Sequence, residues 1–310
     1  MLLLACSESS PTPRDAGDIE PGFDAGAQPH LVEAGTVTSP AVDPALPPPG
    51  DFISTELGGY KLGPALMPGS TDLQLNLDKP AGRCSQLVAV VRDFRGAREA
   101  NAHPDFEVFD GKKPTQGLLA AQLGSDRKPV YASRCEKSFD AAACPYGQMT
   151  TSRAAFEQWY RSTPDVNATY ALYLAFEANG DVYTFQSKSF FPLDGAGFGN
   201  AGGKRKHNFG FTTELHATFT YRGGEQFSFT GDDDLWVFVN GKLAIDLGGL
   251  HPPATGTLDL DAAQRELGIE PGREYTLDLF HAERHSAASN FRVDTTIQFS
   301  DCGRVSVELL

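Results

Sequence analysis

Phe227-Ser228-Phe229-Thr230-Gly231-Asp232-Asp233-Asp234-Leu235-Trp236-Val237-Phe238-Val239-Asn240-Gly241-Lys242-Leu243-Ala244-Ile245-Asp246 reads as three strands and two turns. Asn240-Gly241 tolerates positive φ at both turn positions, so residues 235–239 and 242–246 are expected to pair as an antiparallel hairpin. In residues 226–230 the two phenylalanines share one face at the strand period of two. Trp236 and Phe238 alternate with Val237, and Trp236 is read as a core residue.

Outward from this stretch, residues 86–94 form a β-branched apolar run of buried-strand length, and the folded domain is expected to start near there. Further strands are expected at 169–177, 182–186, 216–221, 275–283 and 290–299. One helix is expected, capped by Thr151 or Ser152, carrying Ala155, Phe156, Trp159 and Tyr160 on one face and stopped by Pro164. A shorter helical turn fits 262–267, ended by Gly268. With 32 Gly and 21 Phe but 3 Met in 310 residues, the fold class is all-β: an antiparallel sandwich or barrel with one short helix and long loops.

The formal charge of −14 argues against a nucleic-acid partner, because phosphate binding needs clustered Lys and Arg. No apolar stretch reaches membrane-spanning length. Leu3-Leu4-Ala5-Cys6 looks like a bacterial lipobox, which makes residues 1–6 a truncated lipoprotein signal with Cys6 as the lipidated residue and only membrane tether. Residues 7–50, with Pro47-Pro48-Pro49 and six earlier prolines, read as an extended linker, and 51–310 as the β domain. These readings place the chain as a secreted, outer-membrane or cell-surface lipoprotein of a bacterium. Setting Cys6 aside leaves Cys84, Cys135, Cys144 and Cys302, enough for two disulfides in an oxidising compartment. Three pairings are open. The favoured one joins Cys135 to Cys144 across a small loop and Cys84 to Cys302 from first strand to last.

The Asp232-Asp233-Asp234 turn supplies adjacent hard oxygen ligands of the kind calcium takes. An acidic turn whose carboxylates bond nearby backbone N–H groups is the plainer reading of such a triplet alone. His251, His281 and His285 lack zinc-site spacing. Glu283-Arg284 is read either as an ion pair fixing its loop or as part of the lining of a ligand site.

The chain from Val88 to Phe299 resembles the fibro-slime domain, whose C-terminal half is similar to the PA-14 carbohydrate-binding domain. The resemblance is carried by Val91-Arg92-Asp93-Phe94, His103-Pro104-Asp105-Phe106-Glu107, Gln158-Trp159-Tyr160, 190–195, 208–215, 231–251 and 282–291. It implies a PA-14-like β-sandwich in which an Asp–Asp pair, joined by a cis peptide, coordinates calcium that binds sugar hydroxyls. Counted back from Asn240-Gly241, that pair is Asp232 and Asp233. Asn290 is the implied further metal ligand, with Ser289 adjacent at the ligand site. The expected cofactor is Ca2+, the expected partner a glycan or cell-surface polysaccharide, and no catalysis is expected. Two other readings share these residues. One is a matrix protein with a purely structural calcium. The other is a glycoside hydrolase, which needs two carboxyls ~5 to 9 Å apart across a sugar, a poor fit to adjacent aspartates.

Overall fold

The computed structural model describes residues 52–66, 84–136, 142, 144–200, 205–285 and 288–303. Cys6, the linker at 7–50 and Asp51 lie outside these residues.

Two antiparallel sheets stack as a sandwich. The larger has β1 (Ile53–Ser54), β2 (Gly59–Ala65), β3 (Gln86–Phe94), β4 (Asn167–Ala175), β7 (Phe211–Thr220), β9 (Asp234–Val239), β10 (Lys242–Leu247), β12 (Glu274–Glu283) and β14 (Phe299–Asp301). Its order is β1-β2-β4-β3-β7-β12-β9-β10, with β14 also on β7. The smaller has β5 (Glu177–Asn179), β6 (Val182–Ser187), β8 (Gln226–Gly231), β11 (Ala254–Asp259) and β13 (Phe291–Thr295), in the order β11-β8-β13-β6-β5. The expected hairpin forms as β9–β10, with Asn240 at φ 53° and Gly241 at φ 70°. Both expected disulfides form, Cys84–Cys302 and Cys135–Cys144.

Several boundaries differ from expectation. Strands β1 and β2, not expected individually, precede the apolar run at 86–94. The run 290–299 is split into β13 and part of β14. The helix expected to reach Pro164 is only α1 (Arg153–Phe156), capped by Ser152 Oγ. Its continuation tightens into i→i−3 bonds, Gln158 N to Ala155 O and Trp159 N to Phe156 O, while the Trp159 indole donates to Asp105 Oδ2. The second helix, α2 (Leu260–Leu267), is the longer of the two, so the described fold has two helices rather than one. Asp259 caps it and Gly268, at φ 70°, ends it.

Every residue of β9 is buried, because the segment between β3 and β4 lies over the outer face of the larger sheet. Val237 faces the sandwich core, whereas Trp236 and Phe238 face a second core with Phe106, Phe156 and Trp159. The covering segment is sewn down at Thr115 N to Gly248 O (2.5 Å), Gly117 N to Asp246 Oδ2 (2.8 Å) and Glu107 N to Arg284 O (2.9 Å).

Cys84–Cys302 closes a 218-residue separation, so Cys302→Ser should lower unfolding free energy by about 2–5 kcal/mol in urea titrations. An undiminished midpoint would contradict it. Asp93 accepts from Asn208 Nδ2 (2.7 Å) and Phe198 N (2.5 Å), yet burial pushes its carboxyl up to about 7. The folded chain therefore holds a proton that the unfolded chain releases near pH 4. This stabilisation is complete below about pH 4 and is lost as pH rises through about 7. The stability of wild type relative to Asp93→Asn should fall from about pH 4 to 8; a flat difference would show that Asp93 is already ionised.

Candidate functional site

Strand pairing assembles the site. The chain passes from the small sheet to the large one between β8 and β9, and back again between β12 and β13. Because β8 pairs with β13 (Gly231 opposite Phe291) and β9 with β12 (Asp234 opposite Ala282), the two crossings lie side by side. Asp232 and Asp233 thus face the loop from Glu283 to Asn290.

Asp232 accepts from the Asn290 backbone N (2.5 Å) and from its Nδ2 (2.6 Å), which brings two of the expected ligands together. Asp233 Oδ2 accepts from Arg284 N (2.7 Å). The two aspartates are only 6% and 4% exposed. The expected cis peptide is not found: among the described residues all peptide bonds are trans, and Asp233 takes up the turn with a left-handed φ of 56°. Aspartate is among the few non-glycine residues that adopt this conformation.

Asp234 has a different task. Its carboxylate accepts from Arg284 Nε (2.7 Å) at Oδ2, where Nη2 is in ion-pair contact at 2.6 Å, and from Gly249 N (2.6 Å) at Oδ1, all in the interior. Arg284 is therefore paired with Asp234, which corrects the expected Glu283–Arg284 pair. Arg284 Nη1 also donates to Asp105 O and Met149 O, and its guanidinium lies 4.4 Å from the Trp159 ring centroid. Ser289, expected beside the ligand, is buried and donates its hydroxyl to Phe190 O (2.7 Å), so it secures the loop from within.

Sequence reading missed the surroundings of Glu283. Burial, followed by the charges of Asp233 and Asp232, holds its carboxyl well above the usual range. Oε1 accepts from His285 N (3.2 Å), and a side-chain hydrogen bond with Asp233 raises Glu283 further while lowering Asp233, as a proton held on Glu283 and donated to Asp233 would. Burial also pushes the Asp233 carboxyl up to about 6, against the lowering effect of the Arg284 amide. A cavity of about 290 Å³ opens over the aspartates, walled by Asp110, His251, Pro252, Pro253 and His285. His285 Nε2 lies 3.0 Å from Asp110 Oδ1, while both His251 nitrogens lie within 3.0 Å of backbone carbonyls. His281 is enclosed by Phe190, Phe211, Phe229 and Phe291, and burial pushes its imidazole down to about 3. Among the described residues no three His, Cys, Asp or Glu side chains converge as a preformed metal cage.

Residues 201–306 match the PA14 domain family. The chain is 35% identical to psiJ of Dictyostelium discoideum over 213 residues, 63% of this chain and 29% of psiJ. It is 36% identical to psiD of the same organism over 207 residues, 63% of this chain and 39% of psiD. The chain thus spans about a third of the length of these relatives, neither of which carries a fibro-slime name. A crystal structure of the PA14 domain of MpAFP antifreeze protein aligns at 11% identity over 43% of this chain and 78% of its own, with a TM-score of 0.26. The relatives are eukaryotic, which overturns the expectation of a bacterial outer-membrane or cell-surface lipoprotein.

Removing Arg284 strands the Asp234 charge in the interior. Arg284→Met should cost about 3–5 kcal/mol in urea unfolding, and adding Asp234→Asn should restore part of that. A cost below about 1 kcal/mol would show that the pair does not hold the site together.

Proposed function

We propose that this chain is an extracellular, calcium-dependent carbohydrate-binding or adhesion module of the fibro-slime type, with its site at the Asp232–Asp233 turn and no catalytic role. The carrying observation is the pair of buried carboxylates under the cavity: Asp232 and Asp233 border it, while the Arg284 side chain is engaged by Asp234. Adjacent buried carboxylates repel each other, and a shared cation would offset the cost of burying them. Calcium fits because it accepts a mixed and flexible set of oxygens, so two carboxylates with amide and backbone oxygens suffice. Asp232, Asp233 and Asn290 would hold it. Bound calcium supplies positive charge and open coordination positions for sugar hydroxyls.

The chain's own residues do the remaining work. The Asn290 hydrogen bonds orient the Asp232 carboxylate, and the Arg284 backbone amide orients that of Asp233. Pro252 and Pro253 give the cavity an apolar wall, and Asp110 with His285 offers polar groups at its mouth. The match to the PA14 family supports this reading, and the two disulfides fit an oxidising compartment.

Calcium at about 100 times its Kd should stabilise the fold by about 2.7 kcal/mol, visible as a raised melting temperature. Asp233→Asn should abolish that rise. A melting temperature indifferent to both calcium and chelator would rule out the metal. On a glycan array, binding should appear with calcium and vanish with chelator; calcium stabilisation without sugar binding would leave the ion a structural one.

A further inference from the structure

We propose that the outer face of the five-stranded sheet docks a neutral, extended glycan chain continuing from the Asp232–Asp233 turn. This deepens the function proposed above and rests on it.

The face is built in register. Thr255, Thr230, Arg292 and Gln186 align across β11, β8, β13 and β6. Thr257, Ser228, Asp294 and Thr184 form the next row. Neighbours fix one another: the Thr230 and Thr255 hydroxyls are 2.8 Å apart, and Thr184 Oγ1 donates to Asp294 Oδ1 (2.8 Å). Arg292 donates to Asp294 through Nε (2.6 Å) and Nη2 (2.8 Å), and to Gln186 Oε1 through Nη1 (2.9 Å). Side chains already held in place lose less freedom when a ligand arrives.

An outward polar face is ordinary for an antiparallel sheet. What distinguishes this one is its relief and continuity. Two open grooves of about 430 Å³ each share Asp294 as a border. The groove nearer the turn is also bordered by Asn290 and Pro253, and Pro253 borders the cavity over the aspartates as well. The track therefore runs from the candidate calcium site along β13, whose five residues span about 16 Å, longer than one sugar ring.

Charge selects the occupant. Among the residues bordering the two grooves Arg292 is balanced by Asp294 and Lys188 by Asp259, so that lining carries no net charge on a chain of charge −14, with Glu177 beyond it on β5 opposite Thr184. Nucleic acid or an anionic membrane would need a basic surface, and the centre of a protein interface would need aromatic and apolar anchors. Hydroxyl and amide groups match the donors and acceptors of a neutral polyol.

The test titrates wild-type protein in calcium with neutral glucose, mannose and N-acetylglucosamine oligomers of one to six units, read by calorimetry. In the series that binds, affinity should rise about tenfold or more from the single sugar to the longest oligomer. Ser228→Glu, which puts bulk and charge on the strip, should abolish that gain while leaving single-sugar affinity and the calcium-induced melting shift intact. Ser228→Thr should keep the gain. Single-sugar binding with no dependence on length, or a length gain undiminished in Ser228→Glu, overturns this proposal alone. Silence across the whole panel overturns it together with the glycan reading of the turn.

Discussion

Arg284 is the point at which the layers meet. Its guanidinium joins Asp234 at the start of β9 to the carbonyls of Asp105 and Met149 in the covering segment, and its face lies against Trp159. Its backbone N–H holds Asp233. A charge taken this far from water is tolerated only when paired and hydrogen-bonded, so the covering layer, the β9–β12 pairing and the acidic turn depend on one side chain.

That commitment shapes the electrostatics around it. Asp234 takes the guanidinium directly, so Asp232 and Asp233 are bonded by the amides of Asn290 and Arg284, and the Arg284 charge reaches Asp233 only at longer range. Amide N–H groups orient carboxylates without neutralising them. The fold thus buries two adjacent carboxylates, Asp232 and Asp233, where two crossings between sheets converge, at the floor of an open cavity. Local conflict of this sort is what a sequence under consistent folding constraints retains mainly at functional sites.

Much of the fold was legible in the sequence. Asn240-Gly241 specified β9–β10 because so few residue pairs accept two positive φ values, and alternation in 226–230 specified β8. The same turn counted back to Asp232 and Asp233. Strand β2 was not legible: Pro64 and two glycines argue against a strand, yet the ladder tolerates them where its register shifts between Leu62 and Ala65. The helix was overextended because Trp159 and Tyr160 keep helical spacing even though tertiary contacts, the Trp159–Asp105 bond among them, set their positions. The roles of Arg284, Glu283 and Ser289 were hidden because they depend on which strand lies opposite, a property of long-range register that no local pattern encodes.

The cation site proposed at the acidic turn is tested most directly by a crystal structure of the protein grown with calcium, with the ion identified by anomalous scattering. The expected result is one ion bound by the Asp232 and Asp233 carboxylates and by Asn290 at about 2.3–2.6 Å, facing the cavity. Crystals saturated with calcium in which Asp232 still holds only the Asn290 amide and no ion lies between the two aspartates would contradict it.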